Sequence, residues 1–597
     1  MIYKKLLYII IPVFYLIIFF ILKFYQGFSQ SDADTWMHLN LIEQTINDFL
    51  HGDATHRYNF YDFTDCIMRR DNANGGGTEL IWTLPYNMFI ILCSSVFWIF
   101  GYNIHQSLDL TSYVIGPIIM MLNIFIFTKI LSLIWNKKTL LNSFPIIVFL
   151  SVFNIILLSY SLPSRVSHHP LTLSFCMLSL YYILKWGKSL NFKDSILAGI
   201  FLTTSCWSSM ETLPFCMIII YVIWNICLYR GYNIKGIWAY KLKYGLLYMF
   251  ISILFLGTLI LFIDHPLQGF WHSRFDRYSI FQLFTLLLGV FIGIISRENI
   301  VRYNLSTLSP YKKFIYSILL SVIFLILWMI FVVFFIKSSI NVSDYYVYQY
   351  FWKVDTENLS ILQEYNDVSF YLPVVPIFII TFFIMIKAKN KIFWSQCFFI
   401  LAGLIFIGLC SLRLMIYADM LSILIAIMWI YNKIKSYTNV FVILLGALSL
   451  FYILFINVAK IQYKDSCSIN EKEGKIISNF IGDNYNVMTD IWIAPNIIWN
   501  TNLNTVAGPY HPNISGIHDT GIFWIGDMNN KNVQNEIQNI IKKRNIKGII
   551  SCNKNIYLNE NYYSKNTMKQ LLHNNSHFSW IDYKYIRLKD LYIYKTK

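Results

Sequence analysis

Charge is what this sequence has least of. Only 13% of its 597 residues are Asp, Glu, Lys or Arg, against roughly a quarter in an average soluble domain. Together with a hydrophobic share of 56%, that poverty excludes an ordinary water-soluble enzyme. The ten cysteines include no CxxC pair and no metal-ligand spacing, which excludes a zinc ribbon and predicts no disulfide framework. Most of them, such as Cys93, Cys176, Cys216 and Cys410, lie within apolar runs, where a thiol acts as a small hydrophobe. A P-loop, an internal repeat, a heptad pattern and a collagen-like segment are all missing from the sequence.

What the chain does have is apolar length, with a mean hydropathy of +0.51. It opens with Lys4 and Lys5 and continues apolar to about Ile21 with no small-residue cleavage site, which predicts an anchored first span. Further runs of spanning length fall near 111–134, 142–161, 171–186, 195–210, 214–229, 244–263, 279–295, 314–336, 370–386, 392–411, 414–431 and 438–458. Taken at ~20 residues each, these predict an α-helical polytopic membrane protein of about 13 transmembrane helices.

The net charge of +16 then reads as a topology signal and not as a nucleic-acid surface, because the cations sit in short loops between apolar runs. The run 84–101 decides the parity of those loops. If it stays on the outer side without crossing, Lys137, Lys138, Lys185, Lys188, Lys193, Arg230, Lys241, Lys243, Lys312, Lys313, Lys387 and Lys433 are among the inner cations. The longer outer segments then hold fewer, among them Arg57, Arg69, Arg165, Arg274 and Arg413. Positive charge is thereby concentrated inside, so the non-crossing reading is preferred.

That topology predicts a transmembrane domain over 1–458, with a first outer loop at 26–110 and a later one at 337–369. The remaining segment, 459–597, is richer in Asn, Asp and Lys. Strand-length runs at Asn486–Ile493, Asn504–Val506 and Lys547–Ile550, with a polar helix at Asn532–Lys543 before the last, predict a small C-terminal α/β domain outside the membrane. The expected location is the bacterial inner (cytoplasmic) membrane, with this domain extracytoplasmic.

Ionisable groups at the outer ends of spans are where function would show, because burying them at membrane depth is costly. Asp32 and Asp34 follow the first span in Ser31-Asp32-Ala33-Asp34-Thr35-Trp36-Met37-His38. Apolar Trp36, Leu39, Ile42 and Ile46 recur at helical spacing, which predicts a surface helix with Asp34 beside its N-cap. Both acids could also serve that helix as caps alone. Arg165, His168 and His169 precede Pro170, a residue favoured at the first helical position. The histidines then face an anion-binding helix N-terminus, or they are interfacial decoration. Glu211 stands alone among apolar residues between two spans, so it must be paired, protonated or bound to a cation. Glu357 lies in the later outer loop and Arg413 between two apolar runs. An intramembrane arginine of that kind points to phosphate.

Carboxylates, imidazoles and an arginine on one side of a membrane suit sugar transfer from a polyprenyl-phosphate donor. The acceptor needs a base, the departing phosphate needs positive charge, and the lipid needs a groove between spans. A transporter or flippase of lipid-linked sugars is the rival reading, as is a non-catalytic scaffold. Transporters place charge near the midplane and show repeats, and neither is found here.

The order of these motifs resembles the GT-C superfamily of membrane glycosyltransferases, most of all the relatives of the oligosaccharyltransferase catalytic subunit. The resemblance covers the whole chain as architecture and short stretches as sequence. It implies that Asp34 binds metal or activates the acceptor, that Glu357 is the acid of the later outer loop, and that Arg413 holds donor phosphate. It further implies a divalent metal, Mg or Mn, with Asp34 and Glu357 as ligands, and a lipid-linked sugar as donor. Gly75-Gly76-Gly77-Thr78-Glu79-Leu80-Ile81-Trp82-Thr83, Arg165 to His169, Glu211-Thr212-Leu213-Pro214 and Gly508-Pro509-Tyr510-His511-Pro512-Asn513 look like uncharacterised bacterial proteins of this kind. Two departures stand out. Ser167 replaces an acid expected before the histidines, and the tail lacks the WWDYG motif of sequon recognition. The expected acceptor is therefore a cell-envelope lipid or glycan more than an Asn-X-Ser/Thr protein site.

Overall fold

The computed structural model describes residues 33–51, 84–152, 165–231, 237–264, 278–302, 344–352, 374–387, 391–410, 415–433, 467–509, 513–553, 566–574 and 578–597, with a few short stretches between them. The expected first span, the run 438–458, most of the run 314–336, Gly75–Gly77, and the site candidates Asp32, Glu357 and Arg413 lie outside the described residues.

Helix α1 (Ala33–His51) comes first, followed by the two-residue strands β1 (Ile67–Met68) and β2 (Thr78–Glu79), which pair antiparallel. The bundle follows with α2 (Leu84–Ile99), α3 (Ile104–Ser132), α4 (Lys137–Val152), α5 (His169–Ser189), α6 (Phe192–Ser208), α7 (Leu213–Gly231), α8 (Ile237–Ile263) and α9 (Ile280–Arg302). It closes with α10 (Val374–Lys387), α11 (Lys391–Cys410) and α12 (Met415–Lys433). Connections as short as that between α5 and α6 make successive helices antiparallel neighbours. Two described helices, Ile104–Ser132 and Tyr240–Ile263, are long and apolar enough to cross a membrane.

One continuous apolar core joins α3 to α9 with α11 and α12, through side chains such as Phe127, Trp186, Leu202, Ile219, Leu246, Leu286, Leu404 and Ile425. At Gly199 in α6 an added Cβ would stand 2.1 Å from Ser252 Oγ and 2.8 Å from the Met249 carbonyl of α8. Small residues permit this close approach between helices in apolar surroundings. Outward faces are apolar as well. Ile251, Leu254, Phe255, Leu259 and Phe262 on α8 are exposed, as are Phe284, Leu288 and Phe291 on α9. Contiguous faces of this kind suit lipid better than water.

Helix α2 keeps to one side of the bundle. Near its start Tyr86 lies 6.3 Å from the His168 ring at the head of α5. Beyond its other end, His105 stacks at 4.0 Å on Trp499 of the tail. The opposite end of α5 is elsewhere, where Lys188 Nζ donates to the Leu133 carbonyl at 3.0 Å. Both ends of α2 thus lead to residues that meet either the α5 head or the tail.

The tail holds α13 (Glu471–Ile481), β3 (Asn486–Thr489), α14 (Ala494–Asn500), β4 (Asn504–Thr505), α15 (Ile514–Ile525), α16 (Lys531–Lys543), β5 (Ile546–Cys552), α17 (Met568–His573), β6 (Ile581–Leu588) and β7 (Leu591–Thr596). Its sheet has the order β4-β3-β5-β7-β6. Strand β3 pairs parallel with β4 and β5, while β7 pairs antiparallel with β5 and β6. The β3 run ends sooner than its hydropathy predicts, because Asp490 Oδ1 accepts from Trp492 N at 3.0 Å and Pro495 opens α14. The β6–β7 hairpin is absent from the sequence reading; its tight turn places Lys589 at φ +54°.

The structure corrects the reading of the cysteines. Cys467 and Cys552 form a disulfide across 85 residues of sequence, with Cα atoms 5.8 Å apart. Spacing alone carries no sign of it, because the parallel β3–β5 pairing is what brings Cys552 beside the start of the tail. Replacing both cysteines by serine is expected to destabilise the tail by about 4 kcal/mol. The readout is hydrogen exchange in β5 and β7; unchanged protection there contradicts a stabilising cross-link.

Candidate functional site

The site grows from the head of α5. His168 is the N-cap and Pro170 opens the helix, the role that the missing N–H and fixed φ of proline favour. Both histidines are thereby fixed at one helix end and are buried, with ring centroids 4.2 Å apart. Between α6 and α7 the chain makes a short 3-10 turn, Met210–Thr212. Thr212 Oγ1 holds this turn by donating to the carbonyls of Ser205 and Ser209 at 2.9 and 2.7 Å. The turn aims Glu211 at α5, where its Oε2 lies 3.2 Å from His169 Nδ1. Among the described residues, Glu211 thus meets an imidazole.

One ligand atom from each of His168, His169 and Glu211 lies within 4.8 Å of the others. Among the described residues this is the group able to hold a metal ion. The His169–Glu211 contact lacks hydrogen-bond alignment, as expected of two ligands facing a common point. Two imidazoles and a carboxylate fit Zn or Mn better than Mg, which prefers an all-oxygen octahedron. The expected ligand pair was different. Of it, Asp34 is described and Glu357 is not.

Asp34 sits in the first turn of α1, and its neighbour Thr35 ties that turn to the site. Thr35 Oγ1 accepts from Val166 N at 2.8 Å. Trp36, Leu39, Ile42 and Ile46 are buried, so the predicted helix and its inward face are present. Arg165 places its guanidinium 4.6 Å over the Tyr160 ring, and that ring meets His169 edge-on at 4.9 Å. The structure therefore brings Arg165, His168, His169 and Glu211 together, with Asp34 on the adjoining turn.

Three contributors escaped the sequence reading. His38 lies one helical turn beyond Asp34, fully buried, with its ring 5.9 Å from His168. Its Nδ1–H donates to Asn87 Oδ1 at 3.2 Å, and burial pushes its pKa down to about 3, so it is neutral at physiological pH. Asp264 accepts from Trp207 Nε1 at 2.7 Å and from Leu84 N at 3.4 Å, joining α6 and α2 beside the site. Tyr160 is the third. The i, i+4 relation of Asp34 and His38 was the one usable signal.

The tail covers this region. Asn40 Nδ2 donates to the Pro495 carbonyl at 3.0 Å, and Trp36 packs 6.0 Å from Trp499. Arg70 Nη2 donates to the carbonyls of Thr501 and Leu503, and burial lowers its pKa only to about 10, leaving it charged. Buried Asp71 accepts from Thr505 Oγ1 at 3.0 Å and from Asn513 Nδ2 at 3.4 Å. The later outer loop is held too. Its segment Tyr345–Trp352 packs Val347 and Tyr350 into the tail core beside Ile517, Ile522 and Trp524.

Metal content tests the cluster. The purified chain is expected to bind one Zn or Mn per molecule. Glu211→Gln or His169→Ala should weaken that binding by more than the about 10–100-fold typical of outer-shell partners. Equal affinity in wild type and both variants contradicts the ligand set.

No protein-family model and no curated protein matches the sequence. Solved structures do. Archaeal oligosaccharyltransferase AglB from Archaeoglobus fulgidus, in complex with an inhibitory peptide and a dolichol-phosphate, aligns with TM-score 0.61 at 13% identity, covering 92% of this chain and 70% of that one. The A. fulgidus oligosaccharyltransferase in complex with Zn and sulfate aligns with TM-score 0.60 at 12% identity, over 91% and 68%. The form tethered to an acceptor peptide containing an NVT sequon gives 0.58 at 13% identity, over 92% and 69%. The chain therefore has the oligosaccharyltransferase-like fold that its motifs resemble.

Proposed function

We propose that this chain is an integral membrane glycosyltransferase of GT-C type. It moves a sugar or glycan from a polyprenyl-(pyro)phosphate donor to a lipid, glycan or protein acceptor of the cell envelope. About 13 spans within 1–458 hold the donor, and 459–597 covers the site on the extracytoplasmic side. The observation that carries this reading is the convergence of Asp34, Arg165, His168, His169 and Glu211 beneath the tail, from segments far apart in sequence. The Cys467–Cys552 disulfide agrees with an oxidising compartment for the tail. A neighbour of the same fold that binds dolichol-phosphate supports a lipid-linked donor, and one with Zn and sulfate supports a metal beside an anion.

In this reading His168, His169 and Glu211 hold a divalent ion, which when bound supplies positive charge to the leaving phosphate. Arg165, whose guanidinium lies over the Tyr160 ring beside His169, would bind donor phosphate as a charge-assisted donor, and Arg413 is proposed as a second. The histidines thereby serve the phosphate through the ion as well as at the helix head. Asp34 takes the proton from the acceptor hydroxyl or amine, the work a carboxylate base performs. Glu357 is proposed to complete the site as the acid of the later loop.

Asp34→Asn is expected to lower transfer by about 10²–10⁴-fold, the usual contribution of a positioned base, with membrane abundance unchanged. The assay follows product formed from a lipid-linked donor by the purified chain. Retained transfer in that variant removes Asp34 from the mechanism.

A further inference from the structure

A second cavity lies apart from this site. It has a volume of about 530 Å³ and is walled by α3, α5, α7, α11 and α12, within the range of ligand pockets, roughly 300–1,000 Å³. Met177, Leu180, Ile218, Ile219, Leu404 and Ile425 form its sides. Among the described residues of the lining, Lys188, Asn225, the Tyr221 hydroxyl and the Cys397 thiol are the polar groups.

Its position and opening say what enters. From His169 to Lys188, α5 advances about 28 Å at ~1.5 Å per residue, close to the ~30 Å thickness of a bilayer core. Lys188 and Ile134 are exposed members of the lining, whereas Ile219, Leu404 and Ile425 are fully buried. The cavity thus opens at the Lys188 end. Toward Glu211 it is limited by Phe215, which packs 5.5 Å from Tyr417, and by buried Leu213. It is not a continuation of the His–His–Glu site.

The mouth is cationic. Lys188 Nζ is fixed by its bond to the Leu133 carbonyl, and Lys137 and Lys138 begin α4 a few residues farther along. Lys185 differs, being paired with Asp194 at 2.7 Å. A fixed ammonium at the rim of an apolar cavity, at membrane-surface depth, matches one ligand: an acyl chain inside and a phosphate on the lysine.

We propose that this cavity binds one anionic phospholipid from the leaflet at the Lys188 end, with an acyl chain between α5, α7 and α12 and the phosphate on Lys188. Native mass spectrometry of the full purified chain tests this. The protein is offered equal phosphatidylglycerol and phosphatidylcholine of the same acyl chains, with undecaprenyl phosphate as a third competitor. Wild type is expected to retain one phosphatidylglycerol, favoured about fivefold over phosphatidylcholine. Leu180→Trp and Ile218→Trp, which fill the cavity, should each reduce that adduct, read on preparations that elute as single species. Lys188→Gln, at an exposed position, should keep a lipid adduct but lose the preference. Unchanged adducts in the filled variants, an unchanged preference in Lys188→Gln, or dominant retention of undecaprenyl phosphate each overturn the proposal.

Discussion

A carboxylate set into an apolar bundle has to be paired, protonated or given a cation, and the cluster of Glu211 with His169 and His168 is where this protein answers that need. At 3.2 Å, with side chains 11% and 4% exposed, the Glu211–His169 pair is too dry for water to compensate either group. Burial of that kind is costly unless the groups are paired or share a cation. Several other features follow from keeping the pair in place. Thr212 locks the turn that presents Glu211, Pro170 fixes the helix head that presents both histidines, and Tyr160 closes one flank.

Around that pair the chain builds downward into lipid and upward into the tail. Helices α5 and α7 carry the site at their heads and an apolar core along their length. Helix α1 does the opposite work, lying between site and tail. Thr35 reaches the segment before α5, while Asn40 and Trp36 reach α14. One helix thus transmits the position of the tail to the turn that carries Asp34. Arg70 and Asp71 add a second tie through backbone carbonyls and Asn513.

Much of the frame was legible because its causes are local. Apolar runs, the proline at the head of α5 and the apolar face of α1 each follow from residues a few positions apart, and among the described residues helices lie over most of those runs, two of them of spanning length. The candidate site was legible in part. Isolation of Glu211 among apolar residues showed that it needed a partner, but nothing near it in sequence named His169, which lies 42 positions earlier and arrives by helix packing. His38 was hidden for the same reason: a buried histidine on an apolar face reads as core until its contact with His168 is seen. The disulfide and the β6–β7 hairpin were missed because long-range pairing sets the first and a Tyr- and Lys-rich composition masks the alternation of the second.

The central claim is that His168, His169 and Glu211 hold one metal ion where donor phosphate arrives. Pulsed electron paramagnetic resonance of the purified chain loaded with Mn tests it most directly. Nitrogen couplings from two imidazoles are predicted, with a phosphorus coupling appearing when a polyprenyl pyrophosphate is added. A spectrum without imidazole nitrogen, or one indifferent to the phosphate lipid, would contradict the account.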